Sequence, residues 1–183
     1  MISLRTFLTT TMNFKGFYKA MNIEKPEYCT GSGIVIFLDN REHKFSDLEK
    51  DILYLFLECN DEINVEYSNM LDFPKGAIDK GEFSLDCATR ETEEEIGFSK
   101  NDYVLLEDEN NNYYRCECGR GLIMYLAEIN KDCIGNAKLK KNAKTNILEH
   151  SAYYWGPYQE KVENLPKYLQ ISLDWAHNIL TNV

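Results

Sequence analysis

Apolar residues along this chain fall into short runs separated by charged stretches, and twice into a helical stripe. From Gly33, the run Ile34-Val35-Ile36-Phe37-Leu38 is β-branched, apolar and closed by Asp39-Asn40, which predicts a buried strand. Ile52 to Leu57 predicts a second strand, and the charged segments 41–50 and 58–69 around it read as loops. Between Ser84 and Ile96 the period changes. Leu85, Ala88, Thr92 and Ile96 fall at i, i+3, i+7 and i+11, the apolar stripe of an amphipathic helix, with Ser84 as its expected N-cap and Gly97 as its stop. Further strands are expected at 103–106, 121–129 and 152–158. A last helix is expected over 163–180, with Leu165, Leu169, Leu173 and Ala176 inward and Pro166 in its first turn. Residues 1–30 read as an N-terminal extension or a first short strand, and 31–183 as a single domain. The order of strands, helix, strands and helix predicts an α/β fold with helices packed on a mixed sheet.

Composition narrows the classes. The 183 residues suffice for one domain, and the formal net charge of −10 argues against a general nucleic-acid coat protein or a membrane-surface binder, both of which need a basic face. No apolar run approaches the roughly 20 residues that span a bilayer, so no membrane partner is expected, and the opening segment is too short and polar for a secretory leader. The six cysteines are scattered and the three histidines fall at no zinc-ligand spacing. Reduced thiols in the cytoplasm or nucleus are the simplest expectation.

The chemistry concentrates on the first helix. Glu91, Glu94 and Glu95 fall at i, i+3 and i+4, so three carboxylates share one face within about 5–6 Å. Such crowding costs energy in a helix, more if partly desolvated. It is explained by a hard divalent cation that needs oxygen ligands on a rigid support. A solvated acidic face is the alternative for these three residues taken alone.

Their context is more specific. Residues 73–98 read FPKGAIDKGEFSLDCATRETEEEIGF, and Gly76-x5-Glu82-x7-Arg90-Glu91-x2-Glu94-Glu95-x-Gly97 resembles the sequence box of the Nudix hydrolases. Seven fixed residues at these spacings would arise by chance in roughly one such chain in a million. Thr92 stands where the family usually has an aliphatic residue, and its methyl can still pack. The resemblance implies the Nudix fold, an α/β/α sandwich with a mixed sheet. It also implies hydrolysis of a phosphoanhydride bond with Mg²⁺, or Mn²⁺, as cofactor. By position, Glu91, Glu94, Glu95 and the backbone of Gly76 correspond to metal ligands, and Glu82 and Arg90 to a structural pair supporting them. Glu94, Glu95 and Glu149 are candidate general bases, and Lys75, next to Gly76, is a candidate phosphate contact.

The substrate is less constrained. Phe73-Pro74-Lys75-Gly76 resembles both the diadenosine tetraphosphate hydrolases and the mRNA-decapping enzymes, the latter also over Asp86-Cys87-Ala88 and Glu95-Ile96-Gly97-Phe98. Glu149-His150-Ser151-Ala152-Tyr153-Tyr154-Trp155 resembles the EHxxYxW segment of the former, where an aromatic sandwiches a base. Tyr153 and Trp155 are therefore candidate stacking residues, or alternatively strand residues turned into a core. A small nucleoside polyphosphate, with diadenosine tetraphosphate foremost, is the expected partner. Capped RNA is the alternative, followed by an inositol pyrophosphate or a non-catalytic RNA-binding role. The basic run Lys138 to Lys144 would be the RNA or polyphosphate contact, or else a solvated loop.

Overall fold

Strand β1 (Gly31–Asp39) and strand β2 (Ile52–Cys59) are apolar on both faces because both are covered. Successive side chains point to opposite sides of a strand. Ile34, Ile36 and Leu38 accordingly join one core with Leu53, Leu55 and Leu57, while Val35 and Phe37 join another with Ile52, Tyr54 and Phe56. The computed structural model describes residues 29–182, except 43, 46–47, 49–50, 61–69 and 144. The expected extension or strand over the first 28 residues lies outside them, as does most of the 58–69 loop.

Among the described residues, the remaining strands are β3 (Leu71–Asp72), β4 (Lys75–Ala77), β5 (Tyr103–Leu105), β6 (Arg115–Cys118), β7 (Leu122–Ile129) and β8 (His150–Pro157). They form one eight-stranded mixed sheet with the path β3-β2-β1-β7-β5, in which β4 pairs with β1, β6 with β7 and β8 with β2. Only β1 and β7 run parallel among these pairs. Helix α1 (Ser84–Ile96) covers one face, contributing Ala88 and Ile96 to its core. After a short helix α2 (Tyr158–Lys161), helix α3 (Lys167–Thr181) covers the other with Leu169, Leu173 and Ala176. The architecture is the expected α/β/α sandwich. No helix among the described residues is long and apolar enough to cross a membrane.

Local chemistry shifted several boundaries. Helix α1 takes Phe83 as its N-cap without a side-chain bond, because the Ser84 hydroxyl turns inward to the Tyr125 hydroxyl at 2.7 Å. Its C-terminus ends as expected at Gly97, with φ 81° and its N–H donated to Glu93 O. Thr92 is fully buried and returns its hydroxyl proton to the Ala88 carbonyl at 2.8 Å, so the polar atom is satisfied within the helix. The last helix starts at Lys167 rather than 163, since Pro166 occupies the N-cap position.

The central feature is a fork. β1 and β2 pair only over Phe37–Asp39 and Ile52–Tyr54. Beyond that point they part, and the segment 71–77 fills the gap: Asp72 pairs with Leu57 on β2, and Gly76 pairs with Ser32 on β1. At the crotch the Ile34 N–H donates to the Pro74 carbonyl at 3.0 Å. A Cβ on Gly33 would stand 2.3 Å from that oxygen and 2.5 Å from Lys75 Cβ. Gly33→Ala is therefore expected to lower the thermal midpoint by an amount equivalent to roughly 1–3 kcal/mol of overpacking. Gly135→Ala, where nothing stands within 4 Å, should stay within about 1 kcal/mol of neutral in the same melts.

Candidate active site

Helix α1 packs against β1 and β4 and so lies over the segment that fills the fork. A Cβ on Gly76 would fall 2.0 to 2.3 Å from the carboxylate atoms of Glu91, so the absent side chain is the seat of that carboxylate. The Cys87 thiol points at the Gly76 and Ala77 carbonyls, at 3.6 and 3.4 Å, and burial pushes this thiol up to about 12. It stays a protonated packing group.

Arg90 is the hub of the site. Its Nε and Nη2 donate to the two Glu82 oxygens at 2.8 and 3.0 Å, and Nη2 also donates to the Ala77 carbonyl at 3.0 Å. Its Nη1 donates to Glu91 Oε1 at 2.6 Å and to Glu94 Oε2 at 3.2 Å. Glu82 Oε2 further accepts the Asp79 N–H at 2.9 Å, which closes the loop before the helix. The structure thus gathers Glu82, Arg90, Glu91 and Glu94 into one bonded cluster, with Gly76 packed against Glu91. Glu91 is mostly enclosed and the Glu94 side chain is 53% exposed.

Glu95 stands on the inner side of the same turn. It accepts the Lys75 backbone N–H at 3.1 Å, and burial lifts its carboxyl well above the ordinary glutamate range, with Lys75 only partly offsetting this. Burial likewise raises Glu91, against the pull of Arg90. The Lys75 ammonium does not face outward. It lies 2.7 Å from Asp72 Oδ2, with His150 Nε2 3.9 Å from the same oxygen. Burial works against both charges of that pair, yet Lys75 and His150 hold Asp72 below its usual range while Asp72 and Glu95 hold Lys75 above its own. Asp72 is the residue that the sequence reading missed. An acid three residues before a lysine, at a strand edge, was its only trace.

Strand β8 supplies the rest. Tyr153 and Trp155 pair with Leu57 and Leu55 and therefore point to the α1 face. Trp155 packs against the core there, and its buried Nε1 has no hydrogen-bond partner among the described residues. Tyr153 is among the exposed large side chains. A register shift at Glu58/Cys59 sets His150 opposite Cys59, which turns His150 toward the same face. Glu149 is exposed and bonded to Asn142 Nδ2 at 2.6 Å, and its charge is near enough to disfavour ionisation of Glu91.

The donor set fits a hard divalent cation: three carboxylates on one helical turn beside a peptide segment, two of them poorly compensated in their burial. Among the described residues, the group whose ligand atoms all lie within 4.8 Å of one another is a different one, Cys59, Asp72 and His150. There both Asp72 oxygens are already engaged, by the Phe73 N–H at 2.8 Å and by Lys75.

Residues 55–160 match the NUDIX domain family. A bis(5'-nucleosyl)-tetraphosphatase (asymmetrical) from Rattus norvegicus is 31% identical over 126 residues, 67% of this chain and 75% of its own length. Its Mus musculus counterpart is 28% identical over 81% of this chain and 92% of its own. Among solved structures, a C. elegans Ap4A hydrolase in a binary complex shares the fold, with a TM-score of 0.59 and 18% identity, across 84% of this chain and 99% of that one. RenU, a Nudix hydrolase from M. smegmatis, gives the same TM-score at 10% identity, over 85% and 88%.

A carboxyl that folding makes harder to ionise is neutral to stability below its unfolded pKa, about 4.3 for glutamate, and lowers stability as pH rises from there through its folded value. In metal-free protein, Glu95→Gln is therefore expected to melt at or above the wild type at pH 8, the gap closing toward pH 4. Adding Mg²⁺ should raise the wild-type midpoint and leave the variant's nearly unchanged. Melts followed by circular dichroism with and without the cation check both.

Proposed function

The chain belongs to the Nudix family of hydrolases acting on phosphoanhydride bonds, and on that footing we propose that it hydrolyses dinucleoside polyphosphates, diadenosine tetraphosphate foremost. The observation that carries the reading is the Glu91 carboxylate seated on bare Gly76 beside the buried Glu95. Together with the half-exposed Glu94 and the Gly76 carbonyl, these residues would hold Mg²⁺ or Mn²⁺. The chemistry that such a cation would supply is neutralisation of phosphate oxygens and a lowered pKa of water. The asymmetrical tetraphosphatases named above, and the Glu149 to Trp155 segment, favour the dinucleotide.

The chain's own residues divide the work. Arg90 keeps Glu91 and Glu94 from splaying and ties them to the loop through Glu82. Lys75 holds Glu95 from the backbone and turns its ammonium into the interior, so its service to phosphate is electrostatic rather than direct contact. Glu149, outside the Arg90 cluster and held by Asn142, would take the proton of the attacking water. Tyr153 offers the exposed ring for a base to stack on, worth about 1–3 kcal/mol per base, while Trp155 packs against the core.

Purified protein with Mg²⁺ is expected to convert diadenosine tetraphosphate and water into the nucleoside triphosphate and monophosphate, read by chromatography. Glu94→Gln and Glu95→Gln should each lower turnover roughly a hundredfold or more while retaining a cooperative melt. Release of m⁷GDP from capped RNA in parallel, with the dinucleotide untouched, would replace this reading with the decapping one.

A further inference from the structure

A groove of about 550 Å³ runs along α1 from Glu94, with Arg90, Glu93, Lys100, Lys140 and Lys141 among its walls. Its outer wall is the basic stretch that the sequence left open between contact and solvated loop. That stretch is fastened to the last turn of α1: the Lys138 N–H donates to the Ile96 carbonyl at 2.7 Å and the Lys140 N–H to the Glu95 carbonyl at 3.2 Å. The Lys140 stem also lies over bare Gly97, with Cε 3.3 Å from where a Cβ would be. Lys141 then bridges to Leu148, and Asn142 bonds to both the Ile147 carbonyl and the Glu149 carboxylate. One short loop thus bonds Glu149 and contributes two lysines to the groove that Glu94 also lines.

The charges of the groove are unevenly committed. Glu82 and Glu94 are engaged by Arg90, and Asp86 has Lys100 at 3.8 Å. Among the described residues, Lys140 and Lys141 are in none of these ion pairs, although carboxylates line the same groove. A cation on the three glutamates neutralises only the phosphates it touches. A tetraphosphate carries further charge beyond them, and Glu94, the exposed member of the three, lines the same groove as these two lysines.

We propose that Lys140 and Lys141 form a subsite for the part of a polyphosphate chain lying beyond the metal-binding glutamates, and so set the preference for longer chains. The inference rests on the polyphosphate reading above, but its test does not need turnover. The full chain in Mg²⁺ is titrated calorimetrically with inorganic tripolyphosphate and with pyrophosphate. Lys140→Ala/Lys141→Ala is expected to weaken tripolyphosphate binding roughly tenfold, equivalent to about 1.4 kcal/mol, with a smaller loss for pyrophosphate and a gap that shrinks as salt is added. The control is Lys131→Ala, whose charge lies beside Asp39 at the other end of β1. Equal losses for both anions, no loss, or a matching loss in the control would overturn the subsite. So would a lowered melting midpoint with unchanged binding, which would make Lys140 only a partner of the α1 C-terminal dipole. If diadenosine tetraphosphate proves inert while tripolyphosphate binding still depends on the two lysines, the dinucleotide reading falls and the subsite stands.

Discussion

One guanidinium holds the candidate site in shape. Arg90 spends its donors on Glu82 twice, on Glu91, on Glu94 and on the Ala77 carbonyl, so a single planar group fixes the loop, the helix and the segment in the fork relative to one another. A lysine in its place would supply the charge but not the fixed directions. The same group also leaves the cluster unfinished. One positive charge facing three carboxylates keeps the glutamates oriented without neutralising them, and Glu95 lies beyond its reach. What results is a preorganised concentration of negative charge whose remaining repulsion a divalent ion would relieve.

The parts legible in the sequence are those whose physics is local and repeated. β1, β2, β7 and α1 announce themselves because their apolar positions recur over eight or more residues. β3, β4 and β6 are two to four residues long, too short for an alternation to register, and they exist because the fork and β7 offer open edges. Ser84 misled for a related reason. Its type is right for an N-cap, but its partner, Tyr125, is 41 residues away and no local rule sees it. The pairing of Glu82 with Arg90 came from family resemblance alone, since nothing in an eight-residue separation across a loop predicts a bidentate contact.

Lys75 shows where sequence adjacency and spatial direction part. It precedes Gly76, yet neighbouring strand residues point to opposite sides, so closeness in the chain carried no information about where its ammonium goes. The fork decided that. By pairing Asp72 with Leu57 and Gly76 with Ser32, it encloses Asp72 and Lys75 together with Glu95. A buried pair of this kind is weak evidence for stability, because desolvation consumes much of the attraction. Its consequence is positional: with the Lys75 side chain tied to Asp72, its backbone N–H is held against Glu95.

The residues outside the sequence box reach the site by a different route, and that route makes the helix C-terminus a shared dependency. The loop carrying Lys140, Asn142 and Glu149 meets α1 through two backbone bonds to its last turn, on the Glu95 and Ile96 carbonyls. Those carbonyls are free to accept them because Gly97 ends the helix in a left-handed turn and leaves them without an intrahelical donor. Glu95 therefore anchors the loop with its backbone while its side chain belongs to the carboxylate cluster. From that anchor the chain turns through Asn142 to Glu149 and enters β8, where the shift beside Cys59 brings His150 onto the face shared by Tyr153 and Trp155. A residue other than glycine at 97 would strain the turn and press on Lys138 and Lys140 together. The damage would then pass to Glu149 and the groove without any substitution among the carboxylates themselves.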